Sequence, residues 1–322
     1  MRIEIHPAIS ERDLKWVLAD SLCANELDPK LLYVTPRQTA LWREVFLKHS
    51  PIHGNPEFGR IYREALARVA DDLRPGRVRL VGLGCGTGLK EAELCARLRE
   101  RGHEVEFSAI DVSRDLVDEA AQRLDEAGAR SERHLTCDLA EVDFLKQWLD
   151  EGDREVPRLF TFFGLVPNLT PPFVARLMRE LLRPGDIFLV SVHLAPIREG
   201  ISEDAAMKKI LPQYDNPETL AWLREALREW KLTEFLSEPV VIISDALGIP
   251  AIRGVASWNS EEPIFAGGDV NIPEVGRPLE VFRSLRYTPS RFTTFLLREG
   301  FRSAMLAITA CREEAIWAVR AS

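Results

Sequence analysis

The chain has 322 residues, 46% hydrophobic and 29% charged, which suits a globular protein with one large core or two smaller ones. Its 42 Lys and Arg against 50 Asp and Glu leave a net charge of −8, which argues against a general nucleic-acid binder, because phosphate affinity needs a basic face. Five cysteines (Cys23, Cys85, Cys95, Cys137, Cys311), an odd number with no C-x-x-C pair, argue against a disulfide framework and a zinc site. No stretch nears the ~18 apolar residues of a membrane span. The opening Met-Arg-Ile-Glu-Ile-His lacks the apolar run of a signal peptide, so a cytoplasmic setting is expected.

In chain order, a helix is predicted near 11–23. Thr35-Pro36 and Asn55-Pro56 then place a capping side chain before proline at the first helical position and predict helices near 36–49 and 56–73. From Arg77 the pattern alternates. Strands at 78–83, 105–110 and 132–137 are followed by helices near 88–101, 113–127 and 140–150. A strand at 158–163, a helix at 171–183 behind Thr170-Pro171 and a strand at 187–192 continue the series. Such alternation predicts an α/β fold with a parallel, doubly wound sheet.

After His193 the order changes to two helices within 194–236, the second starting at Pro217. β-like runs at 240–243 and 252–258 and a Gly- and Pro-rich stretch at 261–278 come next. A helix at 289–299 leads into two apolar strands, 301–309 and 314–320, read as a terminal antiparallel hairpin. The expected division is a core of 60–196 and 287–322 and a mixed α+β substrate-binding or cap domain of 1–59 and 197–286.

The most informative segment is Val-Gly-Leu-Gly-Cys-Gly-Thr-Gly at 81–88, between the first strand of the alternating region and its helix. Glycines allow positive φ and close approach of a ligand to the backbone. Asp111 closes the next strand 23 positions after Gly88, near the ~20 at which an acidic residue accepts ribose hydroxyls. An adenosine-containing cofactor is implied. A G-x-G-x-x-G dinucleotide fingerprint does not fit, since position 89 is Leu and the first basic residue is Lys90, inside the helix. The alternating glycines resemble the S-adenosylmethionine loop of class I methyltransferases, whose Rossmann-like sheet also ends in an antiparallel hairpin. Expected cofactor contacts are Gly82, Gly84, Cys85, Gly86, Gly88, Asp111, Val112, Cys137, Asp138 and Phe163.

Several of these positions keep two readings. Asp138 ends the third strand and suits either the adenine amine or a cap for the next helix. Asn168, in the loop after the fourth strand, offers a donor and an acceptor, or serves as a turn residue before Thr170. His193 ends the fifth strand and reads as a substrate ligand, a base or a structural residue. His49 and His53 lack metal-ligand spacing, and no metal is expected.

Beyond the cofactor loop, the sequence resembles the histidine-specific Nα-methyltransferases of ergothioneine biosynthesis. Pro29-Lys30-Leu31-Leu32-Tyr33 followed by Leu41-Trp42 is similar to that family's N-terminal Pro-Lys-x-x-Tyr segment. Ile110-Asp111-Val112-Ser113 matches its Val-Asp-Val-Ser. The stretch from Phe163 to Pro171 is similar to its Asn-containing substrate loop, with Asn168 on the Asn. Gln213-Tyr214-Asp215-Asn216 resembles its Ala-Tyr-Asp-Asp, and Ser284-Leu285-Arg286-Tyr287 its Ser-x-Lys-Phe strand.

The resemblance implies an S-adenosylmethionine-dependent enzyme acting on an amino acid or similar amine. It places Asn168 and Tyr214 at the acceptor's α-carboxylate, Tyr33 beside the α-amine as the catalytic residue, and Ser284 at the side chain. The chain departs from the family where its Glu-x-Ser pair reads imidazole: the Glu position holds Phe282. Gly82 likewise stands where many methyltransferases carry an acidic residue near the methionine end of the cofactor. Another small-molecule acceptor, through oxygen or carbon, and a non-catalytic relative are the alternatives. The expected partner is a small molecule, with no nucleic acid or membrane, and the expected state is a monomer or weak dimer.

Overall fold

Helices begin where the sequence supplies a cap. In this computed structural model, which describes residues 2–131, 133–151 and 155–322, the elements in chain order start with β1 (Arg2–Ile5), α1 (Glu11–Ala24), α2 (Pro36–His49), α3 (Pro51–Gly54) and α4 (Pro56–Asp72). Then come β2 (Arg77–Leu83), α5 (Leu89–Glu100), β3 (Glu104–Asp111), α6 (Arg114–Glu126), β4 (Arg133–Thr136), α7 (Val142–Asp150), β5 (Arg158–Phe162), α8 (Pro171–Leu181) and β6 (Ile187–His193). The remainder is α9 (Glu203–Ile210), α10 (Pro217–Glu229), β7 (Val240–Ala246), β8 (Ile249–Ser257), β9 (Ile264–Ala266), β10 (Asp269–Asn271), β11 (Pro278–Leu285), α11 (Pro289–Arg298), β12 (Arg302–Ile308) and β13 (Glu314–Arg320).

Thr35 forms a reciprocal capping box with Gln38, while Asn55, Asn216 and Thr288 accept from Glu57, Thr219 and Arg291 amides. Thr170 precedes proline without a capping bond. The predicted strand start at Glu132 lies outside the described residues.

The chain divides into two compact units. The first comprises Met1–His6, Asn55–Leu194 and Tyr287–Ser322, and the second Pro7–Gly54 and Ala195–Arg286. The boundaries differ from those read in the sequence chiefly at the N-terminus. Arg2–Ile5 pairs in parallel with β4, from Arg2 opposite Arg133 to Ile5 opposite Thr136. Arg2-Ile3-Glu4-Ile5 does alternate charged and apolar residues, as a half-buried strand would, but its partner β4 lies far along the chain.

The first unit holds an eight-stranded sheet in the order β1-β4-β3-β2-β5-β6-β13-β12. The strands through β6 run parallel, and β13 enters antiparallel between β6 and β12. This is the expected doubly wound sheet with its terminal hairpin. Order reverses at β2, flanked by β3 and β5, so the carboxyl ends of these strands form the crevice where such sheets bind ligands. Leu66 and Val69 of α4, Leu94 and Leu98 of α5 and Val117 and Leu124 of α6 pack with Leu80 and Phe107 of the sheet.

His134 of β4 is fully buried, and its Nδ1 accepts from the Ala109 amide at 3.1 Å. Burial lowers its pKa from 6.5 to about 4. The folded state therefore binds fewer protons than the unfolded one between those values, and stability falls as pH drops through this window, by about 3 kcal/mol in all. Urea midpoints at pH 7 and pH 4.5 should converge for His134→Asn, whose side-chain oxygen still accepts from Ala109 but does not titrate. An unchanged gap between the two midpoints would refute this assignment.

The second unit is built on an antiparallel sheet, β11-β8-β7, with a separate β9–β10 hairpin. Leu14, Leu18 and Leu22 of α1 and Trp222, Leu223 and Ala226 of α10 pack with Leu279 and Val281 of β11. A bulge interrupts β11 between Glu280 and Phe282. The β9–β10 hairpin falls in the stretch read as loose; Gly267 and Gly268, with φ of +59° and +93°, make its turn.

Candidate active site

The glycine run leaves β2 and turns into α5 with Gly84, Gly86 and Gly88 at φ of +57°, +51° and +69°. Space as well as conformation demands glycine at Gly88, where the obstacle is backbone, while at Gly84 a side chain would have to displace Leu165. A Cβ on Gly84 would stand 2.0 Å from Leu165 Cδ1, and one on Gly88 would stand 2.9 Å from the Ala120 Cα of α6. At the end of β3, Asp111 accepts from the Gly86 amide at 3.1 Å and, through its other oxygen, from the Ser113 amide at 3.0 Å. The carboxylate thus fixes the turn while retaining further lone pairs. Burial outweighs these bonds and raises its pKa from 3.8 to about 6.

Gly82 lies in β2 between Ala109 and Thr161. A side chain there would reach within 3.5 Å of Glu91 Cγ and 2.9 Å of Cys85 Cβ. Glu91 beside it is buried, accepts from Thr161 Oγ1 at 2.8 Å and has its pKa raised by burial. Cys85 is buried, with its amide on the Ile110 carbonyl. Val112 is half-buried just beyond Asp111. Past β4, Cys137 is buried and donates an amide bond to the Asp111 carbonyl. Asp138 is half-buried and accepts from the Ala140 amide at 2.9 Å, holding the turn that precedes α7.

Beyond β5, Phe163 meets Tyr62 edge-on at 5.3 Å. No local signal in the sequence announces the cluster around this pair. Lys90 Nζ lies 4.2 Å over the Tyr62 ring and donates to its hydroxyl at 2.9 Å, and Tyr62 donates to Glu314. Burial and the Glu314 carboxylate push the Tyr62 pKa well up, and burial lowers that of Lys90. Only the fold brings α4, α5 and β13 together here. Asn168, in the Val166–Asn168 turn after β5, also belongs to the sheet unit and donates its amide to Leu165.

The other substrate candidates gather in the second unit. Tyr33 closes the turn Pro29–Leu32, which is held by Trp222 Nε1 on the Leu32 carbonyl at 3.1 Å and Trp230 Nε1 on the Leu31 carbonyl at 2.8 Å. The Tyr33 and Trp222 rings are 5.3 Å apart, Trp222 and Phe282 5.7 Å, and Phe282 and Tyr214 5.8 Å, the last pair stacked. At the far end Tyr214 Oη is 3.2 Å from Ser284 Oγ and accepts from Arg286 at 2.5 Å. Alternation alone would put Glu280 on the Phe282 face. The bulge between them breaks that alternation, and Glu280 instead accepts from Arg253 and faces Arg283.

The pieces of the sheet unit fit a bound adenosyl group: a turn of three glycines at positive φ, where no side chain of the turn itself bars close approach to the backbone, beside a buried carboxylate with acceptor capacity left. Comparison with known proteins agrees. The signature of the family described as histidine-specific methyltransferase, SAM-dependent, matches residues 55–221, more than half of the chain. None of the curated proteins matches it in sequence. Among solved structures, a SAM-dependent methyltransferase from Bacteroides fragilis in complex with S-adenosyl-L-homocysteine is 15% identical, with 80% of this chain and 77% of that one covered and a TM-score of 0.36. One from Thiobacillus denitrificans, also with S-adenosyl-L-homocysteine, is 16% identical over 62% of this chain and 86% of that one, with a TM-score of 0.34. The citrinin polyketide synthase CMeT domain is 14% identical over 98% of this chain and 66% of that one, with a TM-score of 0.44. No helix among the described residues is long and apolar enough to cross a membrane. With its class I sheet and glycine turn, the chain belongs to the SAM-dependent histidine-specific methyltransferase family, and S-adenosyl-L-methionine is its cofactor.

Proposed function

We propose that the chain methylates the amine of an amino acid or a related small molecule. The observation that carries this reading is the row Tyr33, Trp222, Phe282 and Tyr214, closed by Ser284, which assembles distant segments into one aromatic wall with a polar end. Bound S-adenosyl-L-methionine supplies an electrophilic methyl group on a sulfonium sulfur. Asp111 would accept its ribose hydroxyls, Asp138 its adenine amine, and Cys137, Val112 and Phe163 would lend apolar contact. Lys90 and Glu91, a cation and an acid in the first turn of α5, complement the zwitterionic amino-acid end.

An ammonium has no lone pair, so the acceptor nitrogen must be neutral when it reacts. A tyrosine hydroxyl such as that of Tyr33 orients such an amine without holding it protonated. The faces of Trp222, Phe282 and Tyr214 tolerate the positive charge that repeated methylation builds on nitrogen. The resemblance implies Asn168 and Tyr214 as donors for a carboxylate.

A product-mass screen of amino acids, amines, phenols and activated carbon acids with the purified chain and S-adenosyl-L-methionine tests this reading. Methyl groups should appear on nitrogen; products methylated only on oxygen or carbon would overturn it. Asn168→Ala should lower kcat/KM for every amino-acid acceptor by about tenfold to a hundredfold, the scale of a lost hydrogen bond to a charged group. An unchanged kcat/KM would remove Asn168 from the acceptor site.

A further inference from the structure

Three arginines lie on or next to β8 and β11, and they differ in what neutralises them. Arg253 pairs with Glu280, and Arg283 pairs with Glu26 and faces Glu280. Arg286 is only 2% exposed, yet no carboxylate of the described residues pairs with it. Its backbone amide is tied to the Pro250 carbonyl at 2.7 Å, and its guanidinium lies 5.1 Å from the centre of the Tyr214 ring. One terminal nitrogen donates to Tyr214 Oη, while Nε is buried without a partner.

A guanidinium stays charged at any working pH. A buried charge without a counter-ion destabilises the folded state, and natural proteins seldom retain one. An unsatisfied buried donor requires an explanation, and a ligand that completes it is the simplest. The neighbourhood states what the ligand offers. Tyr214 Oη accepts from Arg286, and Ser284 Oγ stands 3.2 Å from the same oxygen. Three donor groups therefore converge at the polar end of the aromatic row, with no acid among them.

We propose that Arg286 is the anion anchor of the acceptor site: the acceptor carries a carboxylate that takes the buried Nε–H of Arg286, beside Tyr214 and Ser284. This rests on the reading that the aromatic row of the second unit holds the acceptor. Arg286 sets specificity here and also orients the Tyr214 hydroxyl.

The test uses the full chain with S-adenosyl-L-homocysteine and matched triplets: phenylalanine, leucine or tryptophan, the corresponding decarboxylated amine, and the corresponding deaminated acid. Calorimetry should show the amino acids and deaminated acids binding about tenfold to a hundredfold more tightly than the amines. In Arg286→Met that preference should shrink at least tenfold while S-adenosyl-L-homocysteine binds as before, and Arg286→Lys should restore part of it. Without acceptor, Arg286→Met should melt at the same temperature as wild type or higher, because an uncompensated charge has been removed.

Amines that bind wild type as well as the amino acids do, or a preference undiminished in Arg286→Met, would overturn the anchor. If no triplet member binds wild type, the melting measurement decides: a lower melting temperature for Arg286→Met assigns the guanidinium to the fold and refutes the proposal. Failure of wild type to bind S-adenosyl-L-homocysteine, or methylation confined to oxygen or carbon, would remove the underlying reading instead.

Discussion

Replacing Asp111 by alanine is expected to weaken S-adenosyl-L-homocysteine binding by about 1.5–3 kcal/mol, the scale of a hydrogen bond to a charged group. Two losses combine in that figure. The carboxylate would accept ribose hydroxyls, and it already holds the Gly86 and Ser113 amides that shape the turn. Because only the ionised form accepts at every oxygen lone pair, affinity should be flat above the Asp111 pKa of about 6 and fall as pH drops below it. Asp111→Asn should abolish this pH dependence.

The ligand-free protein should respond with the opposite sign. An acid whose folded pKa is raised from 3.8 to about 6 costs the folded state most above pH 6, about 3 kcal/mol, and that cost fades as pH falls through the window. Asp111→Asn does not titrate but loses an acceptor for one of the Gly86 and Ser113 amides. Relative to it, wild type should therefore gain stability as pH falls from 7 to 4, while the variant binds the cofactor product more weakly at pH 7. Gly86→Val should abolish binding, since a β-branched residue at φ of +51° forces the turn to rebuild. Calorimetry on the three variants checks the set; if Asp111→Ala and Gly86→Val both bind like wild type, these residues do not form the cofactor site.

The elements legible in the sequence were those whose signal is local. Thr35-Pro36 and Asn216-Pro217 announce helix starts because the cap and the fixed φ of proline act within four residues. The run 81–88 and Asp111 announce the turn because glycine spacing reports backbone conformation directly. What escaped depends on partners far away in sequence. β1 is defined by its pairing with β4. The Tyr62–Glu314 bond joins residues of α4 and β13, and nothing near either of them signals the other. The bulge between Glu280 and Phe282 is equally silent in sequence, yet it puts Glu280 on the face opposite Phe282. Arg286 is legible only as a strand-end base until the structure shows it buried beside Tyr214.

Acceptor choice is where this chain is expected to part from the family to which it belongs. Its relatives in the ergothioneine pathway, as the resemblance implies, read imidazole with a Glu two residues before the Ser that corresponds to Ser284. Here Phe282 stands in that place, stacked on Tyr214 and edge-on to Trp222. A phenyl ring cannot accept from an imidazole N–H, and a buried hydrogen-bonding side chain of the substrate left unpaired is rejected strongly. Where a site is built around such a bond, its loss costs ~10⁴–10⁵ in discrimination. Glu280 does not compensate, because the bulge turns it toward Arg253 and Arg283. Histidine should therefore be a poor substrate, and amino acids with apolar or aromatic side chains should be preferred. Phe282→Glu should raise kcat/KM for histidine and lower it for the apolar acceptors, because a carboxylate then faces the aromatic row. Product mass and kcat/KM for histidine, leucine and phenylalanine, measured on wild type and Phe282→Glu, decide the matter. Efficient trimethylation of histidine by the unmodified chain would refute the argument and show that Phe282 does not occupy the position that reads the acceptor's side chain.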